Sequence, residues 1–111
     1  MEAWKSLVVD TLADLSDRTA QERSWLIHRD GAVASPVELI SRLFDDSGVS
    51  DLMEQGPVFS LETDALLGRI SDLVDGLDLG QPPEKLLQDP AWTQLRELAA
   101  TTRERVLADS R

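Results

Sequence analysis

The sequence predicts an all-α protein: a compact bundle of about five helices, folded as one domain over residues 1–111. Three observations carry that prediction. Apolar residues recur three and four positions apart in every long segment. Ser, Thr or Asp stands before the helical runs, twice with proline at the first helical position. No segment keeps strict apolar–polar alternation, and no Asn-Gly or Asp-Gly turn joins two strand-like runs.

The elements follow in order. The first 17 residues read as a helix, with Trp4, Val8, Thr11 and Leu15 on one stripe beside Leu7 and Leu12, and with Asp10, Asp14 and Asp17 on a second stripe. Thr19 to Glu22 ("TAQE") has the form of a capping box. The helix it opens carries Trp25, Leu26 and Ile27 and is expected to stop at "HRDG", where Gly31 suits a left-handed terminus. "SPVE" is the clearest start signal: Ser35 as N-cap, Pro36 at the first position, Glu38 completing the box. Val37, Ile40, Leu43 and Phe44 form its apolar stripe, and "DDSG" ends it, with Gly48 as terminator. "VSDLMEQ" is a short turn or helix before the break at Gly56-Pro57.

Ser60 opens the next helix, whose apolar face is predicted to be Leu66, Ile70, Leu73, Val74 and Leu77. At ~100° per residue, Asp64, Asp72, Asp75 and Asp78 gather on the opposite side. "GLDLGQPPEK" is the longest break, and Lys85 to Gln88 supply one further turn. Asp89 and Pro90 then start a last helix whose stripe is Trp92, Leu95, Leu98, Ala99, Thr102 and Val106. Arg96, Arg103 and Arg105 fall off that stripe, and the last two suit the negative end of the helix dipole.

Charge narrows the function. The chain is 41% hydrophobic and 29% charged, and its net charge is -10. Residues 1–42 carry -2, residues 43–84 carry -9 with Arg69 as their single base, and residues 85–111 carry +1. Binding to nucleic-acid phosphates or to an anionic membrane surface needs lysine and arginine, so neither is expected. A basic protein surface is the partner such a chain attracts. The N-terminal stretch lacks the basic start and apolar run of a signal peptide, and no stretch approaches the ~18 apolar residues of a membrane span. A soluble, cytoplasmic protein is expected.

Catalytic and metal chemistry find little footing. There is no cysteine and one histidine, His28. A zinc site or a Cys-His nucleophile therefore has no ligands to draw on. "HRD" at His28–Asp30 matches a kinase catalytic loop by coincidence, since the glycine-rich loop, strand lysine and DFG segment are missing. Asp72, Asp75 and Asp78 are spaced three apart, which is a helix face and not the alternate-position pattern of a calcium loop. Asp45 and Asp46 are adjacent, so on a helix they diverge by ~100° and do not converge on one substrate atom. No catalytic, metal or cofactor-binding residue is expected, and the protein reads as a non-enzyme. The aspartate pair reads as the end of a helix and the start of the acidic half. Trp4, Trp25 and Trp92 each sit on an apolar stripe and read as core.

One segment carries a resemblance. Trp25, a short loop, an amphipathic helix and then Leu43-Phe44-Asp45-Asp46 resemble the pattern of small acidic helical immunity proteins of bacterial polymorphic toxin and contact-dependent inhibition systems, of the MafI and CdiI kind. The resemblance implies a cytoplasmic, non-enzymatic protein that binds and blocks one toxin domain, often a nuclease. An acidic surface would cover the toxin's basic cleft and exclude nucleic acid. The contact residues expected on that reading are Asp45, Asp46, Asp51 and Glu54, then Asp64, Asp72, Asp75 and Asp78. Met53 and Phe59 are the candidate apolar anchors. A second class stays open: a small acidic adaptor or scaffold that forms a homodimer through an apolar patch at Val49, Leu52, Met53, Val58 and Phe59.

Overall fold

Helix starts are the most local feature of the chain, and the computed structural model, which describes residues 2–27 and 33–109, bears most of them out. The helices are α1 (Ala3–Ser16), α2 (Arg18–Glu22), α3 (Pro36–Ser41), α4 (Val49–Gln55), α5 (Leu61–Asp75), α6 (Pro83–Leu86) and α7 (Pro90–Asp109). Both α2 and α3 run on into a π-helical turn, Arg23–Ile27 and Arg42–Asp46. No strand occurs among the described residues. The fold is all-α, with seven α-helices where the sequence pattern suggests about five. The additional ones are the short α4 and α6. Helix α6 begins at Pro83 and not at Lys85, because proline is well placed at a first helical position.

Ser35 caps α3 by accepting a hydrogen bond from the Glu38 amide at 3.3 Å, and Ser60 caps α5 by accepting one from the Thr63 amide at 3.2 Å. Asp89 Oδ1 accepts the Ala91 amide ahead of α7. The capping box at Thr19 does not form. Asp17 takes the N-cap position, its Oδ1 accepting the Ala20 amide at 3.0 Å. Starting α2 one residue after Asp17 places Arg18 four positions before Glu22, and the two pair at 2.7 Å. The Glu38 side chain likewise turns to Arg42, at 3.9 Å, instead of back to its cap. The predicted stop at His28–Gly31 lies outside the described residues.

Helix α7 is the spine. It packs on α1 and α5, while the π turn after α3 packs on α1 and α4. Val8, Leu12 and Leu15 of α1 meet Trp92, Leu95, Ala99 and Val106 of α7, all fully buried. Each leucine so buried contributes roughly 1.5–3 kcal/mol. Trp25 packs at a tilt of 53° on Trp92, with 5.8 Å between ring centroids, and Trp4 lies half-buried against Phe59 at 5.7 Å. The start of α5 meets the end of α7 in a small network. Ser60 donates to Thr63 Oγ1, the buried Thr63 hydroxyl donates to Asp109 at 2.6 Å, and Glu62 pairs with Arg105 at 2.7 Å.

One buried polar residue organises the far end of α1. Gln21 is fully buried. Its Nε2 donates to the carbonyls of Asp14 and Leu15, both at 2.8 Å, and its Oε1 accepts from Trp92 Nε1 at 3.2 Å. It thereby satisfies carbonyls that a helix end leaves open and ties them to α7. Trp25 Nε1 donates to the Ala34 carbonyl, and Ser24 Oγ accepts the Val33 amide, so the residues on either side of the undescribed segment are joined.

Three stripe assignments change. In α3 the buried side chains are Leu39 and, in its π turn, Leu43, whereas Val37 is 56% exposed and Ile40 and Phe44 are half-buried. In α5 the fully buried set is Thr63, Leu67 and Ile70; Leu66 is only half-buried. The face is rotated toward Thr63, whose hydroxyl donates to Asp109 of α7. In α7, Arg96 is buried and not off the stripe. It lies four residues after Trp92 and three before Ala99, so helical spacing carries its stem inward.

Candidate partner-binding surface

The acidic residues divide into those the fold uses and those it leaves alone. Asp64 belongs to the first group. Its two carboxylate oxygens accept the Val58 amide at 2.8 Å and the Phe59 amide at 3.1 Å, which folds the Gly56–Ser60 connection against the start of α5. Asp78 is exposed and accepts the Gly80 amide through one oxygen, closing a tight turn. Asp14, half-buried on α1, has its pKa raised by burial, with Asp10 and Asp17 adding to the rise and Arg42 opposing it.

Asp45, Asp46, Asp51, Glu54, Asp72 and Asp75 belong to the second group. All six are exposed. Three ion pairs occur among the described residues, Arg18–Glu22, Arg42–Glu38 and Arg105–Glu62, and none uses a member of this group. Nor does any of the six carboxylates accept a hydrogen bond among the described residues. Asp45 and Asp46 therefore do not close the helix through their side chains. Ser47 and Gly48 do that. The Ser47 amide donates to the Arg42 carbonyl, five residues back, which is the π-helical bond. Ser47 Oγ donates to the Leu43 carbonyl at 2.6 Å and accepts the Val49 amide. Gly48 takes φ 80°, a left-handed turn that other residues adopt at a cost, and its amide donates to the Asp45 carbonyl. With the backbone closed in this way, the two carboxylates have no partner among the described residues.

Their placement runs against helix electrostatics. Asp45 and Asp46 end the α3 π turn, Asp75 is the last residue of α5, and no base follows Arg42 in the first or Arg69 in the second. A helix C-terminus carries partial negative charge, so these three carboxylates sit where carboxylates are disfavoured. Asp51, in the first turn of α4, sits where the dipole favours it.

A groove of about 420 Å³ joins the two ends. Helix α5 leans on α7 while α3 leans on α1, so a gap opens between them. Its apolar lining is Val37, Ile40, Phe44, Val74 and Leu79. Ser41, Ser50 and Ser71 add hydroxyls, and Asp45 and Asp75 complete the lining. The structure thus brings together two predicted contact residues that are 30 positions apart in sequence. Asp72 lies on a separate groove of about 620 Å³ between α5 and α7, with Arg69, Leu73, Gln94, Glu97 and Leu98.

The two apolar anchors and the self-association patch fare differently. Met53 and Phe59 are half-buried and packed on the core, so each offers only part of its side chain. Val49, one of the five residues of the expected dimer patch, is fully buried. Sequence reasoning missed the groove. The signal was an excess: between positions 37 and 44 α3 and its π turn carry Val37, Leu39, Ile40, Leu43 and Phe44, more apolar residues than one buried stripe requires.

Among the described residues no group of three or more His, Cys, Asp or Glu is arranged to hold a metal ion, and no helix is long and apolar enough to cross a membrane. Compared with known proteins, the chain matches no family model, no curated protein and no solved structure.

Proposed function

We propose that this chain is a non-enzymatic binding protein that neutralises a basic protein partner, in the manner of an immunity protein acting on a bacterial toxin domain such as a nuclease. The observation that carries the reading is the set of exposed carboxylates at Asp45, Asp46, Asp51, Glu54, Asp72 and Asp75, none of which has an ion-pair partner among the described residues. A protein this acidic in its middle segment attracts cationic surfaces and accelerates their encounter. A nuclease cleft is cationic because it handles phosphates, and an acidic body seated on it competes directly with nucleic acid. The cytoplasm is where such protection is needed.

The test has two stages. Tagged protein is used to capture partners from lysate of its own cells at low and high salt, and the captured protein is then expressed with and without this chain. The reading expects one basic protein, retained at low salt and weakened at high salt, that arrests growth alone and is harmless in the presence of the chain. A captured protein whose effect on growth is unchanged by the chain would overturn it. So would capture that a charge-reversed Asp45→Lys/Asp72→Lys/Asp75→Lys variant performs equally well.

A further inference from the structure

The exposed acids explain attraction but not seating, because charge alone is not directional and is screened by salt. The groove supplies the missing shape. We propose that the groove between α3 with its π turn and the C-terminal half of α5 seats a cationic amphipathic helix of the partner, its apolar side on Val37, Ile40, Phe44 and Val74 and its lysines or arginines against Asp45 and Asp75. The inference deepens the reading above and rests on it.

Three features of the groove select this occupant. The first is the lining. Half of its residues are large and apolar, and Val37 keeps 56% of its surface exposed in a fold that buries its neighbours Leu39 and Leu43 completely. Apolar side chains of an incoming segment have somewhere to go. The second is charge. Asp45 and Asp75 stand at two helix C-termini, and the negative ends of those helix dipoles add to the negative potential. An acidic or neutral segment gains nothing there, whereas a cation gains from both. The third is the backbone of the host. The described residues contain no strand, so an extended peptide has no sheet edge to add to. A helix satisfies its own backbone bonds and needs only side-chain contacts, at the spacing i, i+3, i+4, i+7.

The probes are three fluorescent synthetic peptides of about 16 residues, long enough to hold a helix once bound. One places leucines at i, i+3, i+4 and i+7 and lysines elsewhere. The second has the same composition with leucines spread around the helix. The third replaces every lysine with glutamate. Affinity is read by anisotropy, position by amide chemical-shift mapping on isotope-labelled protein, and oligomeric state by sizing. The expected result is binding of the first peptide alone, with shifts centred on Val37, Ser41, Ser71 and Leu79. Val37→Ser, at a position 56% exposed in the free protein, should weaken it about five- to tenfold, because only the exposed half of one valine is newly buried on binding. Asp45→Asn/Asp75→Asn should weaken it and flatten its salt dependence.

Equal binding of the first two peptides would overturn the proposal, since charge alone would then suffice. Shifts located on the α5–α7 groove would overturn it too. So would a dimer in the free protein that Val37→Ser converts to a monomer, because a second copy would then be the occupant. The two readings fail separately. A peptide that seats in the groove while the chain protects against no captured partner supports the groove and removes the neutralising role. Protection with shifts elsewhere does the reverse.

Discussion

Two junctions in this molecule use the same parts and reach opposite results. At the first, α1 ends at Ser16 and α2 begins at Arg18, with Asp17 between them. At the second, α3 and its π turn end at Asp46, and α4 begins at Val49. The first is closed by side chains that reach inward: Asp17 caps α2, and Gln21 binds two α1 carbonyls and the Trp92 indole. The second is closed by Ser47 and the left-handed Gly48, which leaves the carboxylates of Asp45 and Asp46 without a partner among the described residues. A carboxylate that the fold consumes is explained by stability. Carboxylates set against a helix C-terminus, with nothing inside to hold them, are opposed by stability and point outward to a partner.

The inner junction breaks with the largest effect. Trp92→Ala should cost about 3–5 kcal/mol in urea unfolding, because the ring is fully buried and packs on Trp25. Leu67→Ala should cost about 2–5 kcal/mol and Leu66→Ala much less, which separates the observed α5 face from the one its spacing suggests. Gln21→Leu should cost about 1–3 kcal/mol for each buried group it strands, read on the same urea curve.

The comparison between used and unused acids is sharpened by a pair of opposite sign. Asp64→Ala removes two hydrogen bonds to backbone amides and should destabilise by about 1–3 kcal/mol. Asp75→Asn relieves a charge at the wrong end of α5 and should stabilise by about 0.3–1 kcal/mol. Differential scanning calorimetry reads both.

The smallest effect is in pH. Burial raises the Asp14 pKa, so the folded chain holds that proton to higher pH than the unfolded chain does. This group therefore favours the fold in acid, and the advantage is lost as pH rises through the folded pKa. At neutral pH its charge opposes folding. Asp14→Asn should raise the melting temperature at neutral pH, and the gain should shrink to nothing in acid, where the native Asp14 is already neutral.

Much of this was legible in the sequence, for local reasons. The caps at Ser35, Ser60 and Asp89 and the stop at Gly48 depend on a few adjacent residues, and they form as read. Thr19 failed because Asp17, two positions earlier, offers a better-placed oxygen to the same turn. Stripe membership depends on which neighbour a helix meets, and no single helix states that. Leu39 over Val37, Leu67 over Leu66 and the burial of Arg96 follow from α7 standing at the centre. Free and consumed acids look alike in sequence: Asp64 and Asp75 were predicted on one face, yet only a fold shows that Asp64 holds a loop. The groove is likewise the product of two helices leaning apart, with Asp45 and Asp75 meeting only in three dimensions.

The most direct measurement pairs stability with capture in one variant, Asp45→Asn/Asp75→Asn. Its urea midpoint and its retention of the partner from lysate at low salt are compared with those of the native chain. The account predicts a midpoint that is unchanged or higher and a retention that falls several-fold. A lower midpoint would show that these carboxylates hold the fold together, and undiminished retention would show that the partner is bound elsewhere. Either result would contradict the division between the two junctions.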